Sequence, residues 1–196
     1  MLKLAKAAVL GIAIVALQPC VSLAAPISYV YTGTGSGTLS GTAFTNAAFT
    51  ITAISDTDNV IPVQGGDPRY ITHLQTSIAI AGLGTFSVTT PSSTWVASRC
   101  CGGLGEPLGP NWISFDMPEF GSAGNTLVTN FGPVTDPDPI HTEQFINVST
   151  SGGVLSMPTV GSVTFQAITA VPEPATLLLL AMGMTVVVTR AARRPL

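Results

Sequence analysis

Charge is scarce in this chain. Charged residues make up 9% of its 196 residues, and only seven are basic. Lys3 and Lys6 stand at the start and Arg190, Arg193 and Arg194 at the end, which leaves Arg69 and Arg99 for everything between. The same middle, residues 25–170, holds nine of the ten acidic residues and so carries −7. Nucleic acid is excluded as a partner, because binding phosphates requires basic side chains to displace counterions. Charge this sparse also excludes charge-driven disorder and a coiled coil. Cysteine is equally rare, at three residues, and Cys100 and Cys101 are adjacent. Neighbouring thiols can close a strained ring, pair with another chain or stay reduced, but they staple no long loop. Zinc-ligand spacing is missing, and the two histidines, His73 and His141, are remote in sequence from the thiols.

What is present concentrates at the two ends. Lys3 and Lys6 precede an apolar run, Ala7–Leu17, which Gln18-Pro19 breaks before the small residues Ser22-Leu23-Ala24-Ala25. That order is the layout of a secretory signal, with cleavage favoured after Ala24 and next after Ala25 by signal peptidase of the general secretion machinery. Eleven apolar residues rise only about 16 Å as a helix, well short of the roughly 30 Å hydrocarbon core, which disfavours an uncleaved anchor. Leu17-Gln18-Pro19-Cys20 puts Gln and Pro where a lipid-attachment box needs small residues.

At the other end, Val171-Pro172-Glu173-Pro174 precedes the apolar run Ala175–Thr189, and Arg190, Arg193 and Arg194 follow. The two prolines hold 172–174 extended and accessible. Fifteen residues give a helix of about 22 Å, which spans if its flanks snorkel or the bilayer thins. The arginines orient it with the tail in the cytoplasm and the acidic domain outward.

In these residues the chain resembles the PEP-CTERM sorting signal of bacterial exported proteins: Pro172, Glu173 and Pro174, then a short span and a basic tail. The likeness covers residues 1–24 and 171–196. It implies a substrate of exosortase, a membrane-embedded transpeptidase-like enzyme of Gram-negative bacteria associated with extracellular polysaccharide. By that resemblance Pro172, Glu173 and Pro174 are the recognition residues, the inner membrane is a transient anchor, and the processed chain goes to the cell surface or outside. Stretches Tyr31–Leu39, Asn46–Phe49 and Gln144–Gly153 are similar to parts of uncharacterised exported proteins of the same class, which implies one β domain and brings no activity with it.

The expected organisation is a signal peptide over 1–24, an ectodomain over 25–170 and the sorting signal over 171–196. Within the ectodomain, Phe49–Ala53, Leu83–Thr89 and Ser162–Ala167 alternate apolar and polar residues, the pattern of half-buried strands. Tyr70–Ile80 reads as a strand with Leu74, Ile78 and Ile80 on one face and His73 toward solvent. Turn signals such as Gly65-Gly66-Asp67-Pro68 and Ser151-Gly152-Gly153 separate these runs. The predicted fold is all-β, an antiparallel jelly-roll-like sandwich. Gly33-Thr34-Gly35-Ser36-Gly37 is followed by no helix that could aim at a phosphate, so it reads as a bulged stretch of strand.

Catalytic patterns are missing: there is no Gly-x-Ser-x-Gly, no His-Glu-x-x-His, and no visible base beside a nucleophile. Asp116 and Glu119 form a glycosidase pair only if their spacing in space is right. Asp56 and Asp58 are weak calcium ligands, with Asp136 and Asp138 in a second acidic turn, but an EF-hand fails because Ile61 stands where the loop requires Gly. If Trp112–Asp116 is a strand, Ile113 and Phe115 point to the core and Trp112 lies outward beside Ser114 and Asp116, a platform for a sugar ring; Tyr29 and Tyr31 form a similar pair. The reading is therefore a non-enzymatic, exosortase-processed structural or adhesive protein, ahead of a polysaccharide-binding module aided by calcium and then of a secreted hydrolase.

Overall fold

Alternation of buried and exposed side chains builds the long strands of this protein, seen here in a computed structural model that describes residues 25–62, 68–97, 100–116 and 127–169. The described chain is all-β: β1 Pro26–Leu39, β2 Thr42–Asp56, β3 Val60–Pro62, β4 Arg69–Thr72, β5 Gln75–Ile80, β6 Gly84–Val88, β7 Ser93–Ala97, β8 Cys101–Gly105, β9 Asn111–Asp116, β10 Phe131–Asp136, β11 Val148–Thr150 and β12 Gly153–Thr169. Short 3-10 turns occupy Thr57–Asn59 and Thr142–Gln144. Every strand pairing is antiparallel.

The larger sheet runs β1-β2-β5-β6-β11-β12-β10, and β12 also pairs with β1. Six of its strands thus close a hydrogen-bonded ring, and β10 extends β12 on the side away from β1. The ring's seam is thin, with Thr150 opposite Val88 and backbone bonds from Thr89 N–H to Ser149 O and from Ser151 N–H to Ser87 O. The smaller sheet runs β3-β4-β7-β8-β9. Both sheets contribute to one core: Tyr31 of β1 stacks on Phe115 of β9 at 6.0 Å, and Phe115 meets Phe165 of β12 at 5.9 Å. Burying these large rings supplies much of the hydrophobic driving force.

The stretch Tyr70–Ile80 is two strands in different sheets, not one. His73 N–H bonds to Ser92 O in the smaller sheet, and the next residue, Leu74, donates to Ile54 O in the larger. The chain crosses between sheets at this dipeptide, so the period-two alternation resets there. Ile78 and Ile80 are buried as expected, whereas Leu74 is 70% exposed.

The glycine-rich stretch lies inside β1, where the register slips against both β12 and β2. A Cβ on Gly33 would lie 2.7 Å from Ser162 O, and one on Gly37 would overlap the carbonyl of Ser156. Glycine is required here because the β12 backbone approaches too closely for any side chain. Gly37→Ala should therefore destabilise the domain by about 1–3 kcal/mol, as overpacking does. Exposed Thr38→Ala should change stability by less than about 0.5 kcal/mol. Urea unfolding of both variants checks the contrast, and equal midpoints would contradict the close approach.

Candidate functional site at the pole of the first and last strands

Because β1 and β12 pair from Leu39↔Leu155 to Ile27↔Thr169, the start of the first strand and the end of the last lie side by side. Around this pole three segments converge. Ala25 N–H donates to Thr57 Oγ1 and Thr57 N–H donates back to Ala25 O, both at 3.2 Å, so the 3-10 turn after β2 ties down the residue before β1. On the far side of β12, Asn130 precedes β10 and its Oδ1 accepts from Thr169 N–H at 2.6 Å and from Thr169 Oγ1–H at 2.9 Å. The segment carrying Asn130 is held from inside, because the Tyr29 phenol donates to Leu127 O. An open depression of about 420 Å³ beside it is lined by Asn130, Phe131, Gly132, Gln166, Ala167 and Ile168.

Beneath the pole lies a chain of polar side chains joining the two sheets. The Tyr29 ring meets the His73 imidazole at 5.7 Å. His73 Nδ1 is 2.9 Å from Ser92 Oγ, and Nε2 is 2.9 Å from Thr94 Oγ1. Thr76 Oγ1 lies 2.7 Å from Ser92 Oγ, and Tyr31 Oη lies 2.7 Å from Thr94 Oγ1. Desolvation pushes both tyrosine phenols far above their ordinary range, so they remain hydrogen-bond donors. Desolvation also lowers His73 to about 3, so its ring is neutral at physiological pH. A neutral imidazole donates through one nitrogen and accepts through the other, and hydroxyls do both, so every link can be satisfied. Ser92 and His73 make the contact that a nucleophile makes with a base, but Ser92 is 3% exposed and its hydroxyl serves the interior.

Several expectations are corrected here. Trp112 is 1% exposed and stacks on Phe145 at 5.3 Å, and Ser114 beside it is equally buried, with the Ile140 backbone bridging to Ser114 at the free edge of β9. Tyr29 and Tyr31 do share a face, but it is the buried one. His73 sits at the crossing between sheets and does not face solvent. The Asp56 carboxylate accepts from Asp58 N–H at 3.0 Å, a local turn that leaves Asp58 exposed. Asp136 accepts from Asp138 N–H at 2.9 Å and from Asp116 N–H at 3.3 Å. Among the described residues no three His, Cys, Asp or Glu gather as a metal site would require. Glu119, the proposed partner of Asp116, lies outside the described residues, as do Ala24, Pro172, Glu173, Pro174, Arg190, Arg193 and Arg194. Cys100 and Cys101 are joined to each other. His141 is an exposed loop residue, 3.7 Å from Glu143.

The model of the PEP-CTERM protein-sorting motif matches residues 170–194, beginning immediately after Thr169. This chain carries that sorting motif. No curated protein and no solved structure matches it. The PEP-CTERM motif implies export, membrane anchoring through the C-terminus and processing by exosortase. Among the described residues, no helix is long and apolar enough to cross a membrane. Asn130, Ser92, Thr76 and Thr94 were not foreseen, since single polar residues in polar stretches carry no local signature of a long-range partner.

The buried imidazole makes stability depend on pH. Unfolded histidine takes up a proton below about pH 6.5, whereas folded His73 does so only near pH 3. Between these values the unfolded state binds more protons, so stability is full above pH 6.5 and declines as pH falls toward 3. From pH 7 to pH 4 the loss due to His73 should be roughly 2–3 kcal/mol. His73→Gln should remove that share of the slope in urea unfolding at the two pH values; an unchanged slope would contradict the assignment.

Proposed function

We propose that this is an exported, exosortase-processed protein whose β-sandwich body has a non-enzymatic structural or adhesive role at the cell surface or in the extracellular layer associated with exopolysaccharide. The observation that carries the reading is the sorting motif, which begins at the residue after the last described strand. The body behaves as cargo: its aromatic and hydroxyl side chains, Tyr29, Tyr31, His73, Ser92 and Thr94 among them, are engaged in joining two sheets. Signal peptidase cuts after Ala24, and the tie between Ala25 and Thr57 supports a folded body that starts at that point.

The pole geometry gives the body an orientation. With the N-terminal signal and the C-terminal anchor leaving from adjacent strands, that pole faces the membrane. The opposite pole, where Ser40 Oγ–H meets Gly152 O at 3.1 Å across the β1–β2 and β11–β12 turns, faces outward. Its residues Ser40, Gly41, Thr42 and Ser151 are small and polar, suited to weak hydrogen-bonded contact with a hydrated matrix.

Mass spectrometry of the mature protein from its own host should find Ala25 at the N-terminus and a C-terminus near Pro172–Pro174. In cells lacking exosortase the C-terminus should extend to Leu196. An intact polypeptide with both ends uncut in exosortase-containing cells would overturn the reading.

A further inference from the structure

We infer that Asn130 is a positioning residue for the sorting reaction: by holding the last residue of β12 it sets how much extended chain exosortase can take up around Pro172-Glu173-Pro174. The inference rests on the exosortase reading above and concerns how access to the motif is regulated.

Only Ala170 and Val171 separate Thr169 from Pro172. Three extended steps from Thr169 reach at most about 11 Å, so the tether between the folded pole and Pro172 is short. Enzymes that act on a peptide bond bind several residues of extended chain, commonly through main-chain hydrogen bonds of the strand-addition kind. Upstream of the motif, those residues are already committed: Thr169 is paired with Ile27, Ile168 with Ser28 and Ala167 with Tyr29. More chain becomes available only when the end of β12 frays, and terminal strand residues open far more readily than the centre of a sheet.

Asn130 opposes that fraying. One carboxamide oxygen accepts both the backbone N–H and the side-chain hydroxyl of Thr169, so opening the last residue breaks two bonds beyond the ladder. The clamp has a fixed base, because the Tyr29 phenol, anchored in the core, holds Leu127 three residues earlier. Asn130 itself is exposed, and its replacement removes little packing. Ile168 is 42% exposed beside it, so the freed strand end has an apolar side chain to offer the enzyme.

The test is the rate at which the full-length anchored chain is converted to its shorter form in exosortase-containing cells, followed by pulse-chase and mass spectrometry. Asn130→Ala should speed conversion about three- to tenfold, the effect of losing one or two ordinary hydrogen bonds. Asn130→Asp keeps an acceptor oxygen in place and should convert at close to the wild-type rate. Asn130→Ala should lower the unfolding midpoint by only the same hydrogen-bond loss, roughly 0.3–0.9 M urea, and so stay folded, while Asn130→Asp should keep a midpoint near the wild type. Wild-type conversion with Asn130→Ala at the same rate or slower would overturn the clamp. Failure of the wild type itself to be converted would instead overturn the exosortase reading, and the clamp with it.

Discussion

Strand β1 is hydrogen-bonded to β12 from one end to the other, and this pairing of the first and last described strands is the constraint on which the remaining structure depends. It closes the six-strand ring, since without it β12 would be held only by β10 and the short β11. It also accounts for the glycines: two long strands that slip register twice while staying in contact need positions without a side chain, and Gly33 and Gly37 meet the β12 backbone there. Antiparallel pairing of the two ends has a topological consequence as well. Thr169, the residue preceding the PEP-CTERM motif, is paired with Ile27, so the start of β1 and the point where the motif begins lie at one pole of the folded body.

The second source of order is the polar chain between the sheets. Hydrophobic burial brings two sheets together but tolerates sliding, whereas a run of buried hydroxyls and one imidazole is satisfied only in a single alignment. Tyr29 links this interior to the pole. Its ring stacks near Phe165 and His73, and its hydroxyl fixes the segment that presents Asn130 to Thr169. Core packing and the end of β12 are therefore coupled through one side chain.

The sequence announced its delivery route more clearly than its architecture. Pro172-Glu173-Pro174 and its flanks are local signals, legible because a sorting enzyme must read them locally, and the family comparison found the same segment. Strand content was legible from period-two alternation at Phe49–Ala53 and Ser162–Ala167, where one face is buried and the other open. Where both faces are covered the pattern misleads. In β9, Trp112 and Ser114 alternate with Ile113 and Phe115 yet all four are buried: Phe145, from a distant part of the chain, stacks on Trp112, and the Ile140 backbone pairs with Ser114 at the strand's edge. Tyr29 and Tyr31 were rightly placed on one face, but sequence does not tell an inward from an outward face when the residue is amphipathic. The crossing at His73 and the Asn130 bond to Thr169 are long-range pairings with no local trace.

Hydrogen exchange of the mature domain, resolved by residue, tests the central claim most directly. If β1 and β12 form one paired unit, the ladder amides of 27–39 and 155–169 should be protected together and lose protection in one cooperative step as urea rises, with only the last residues before Ala170 opening earlier. Exchange of residues 163–169 at open-chain rates while β1 and β2 stay protected would show that the last strand is not held by the first, and the shared pole would not exist.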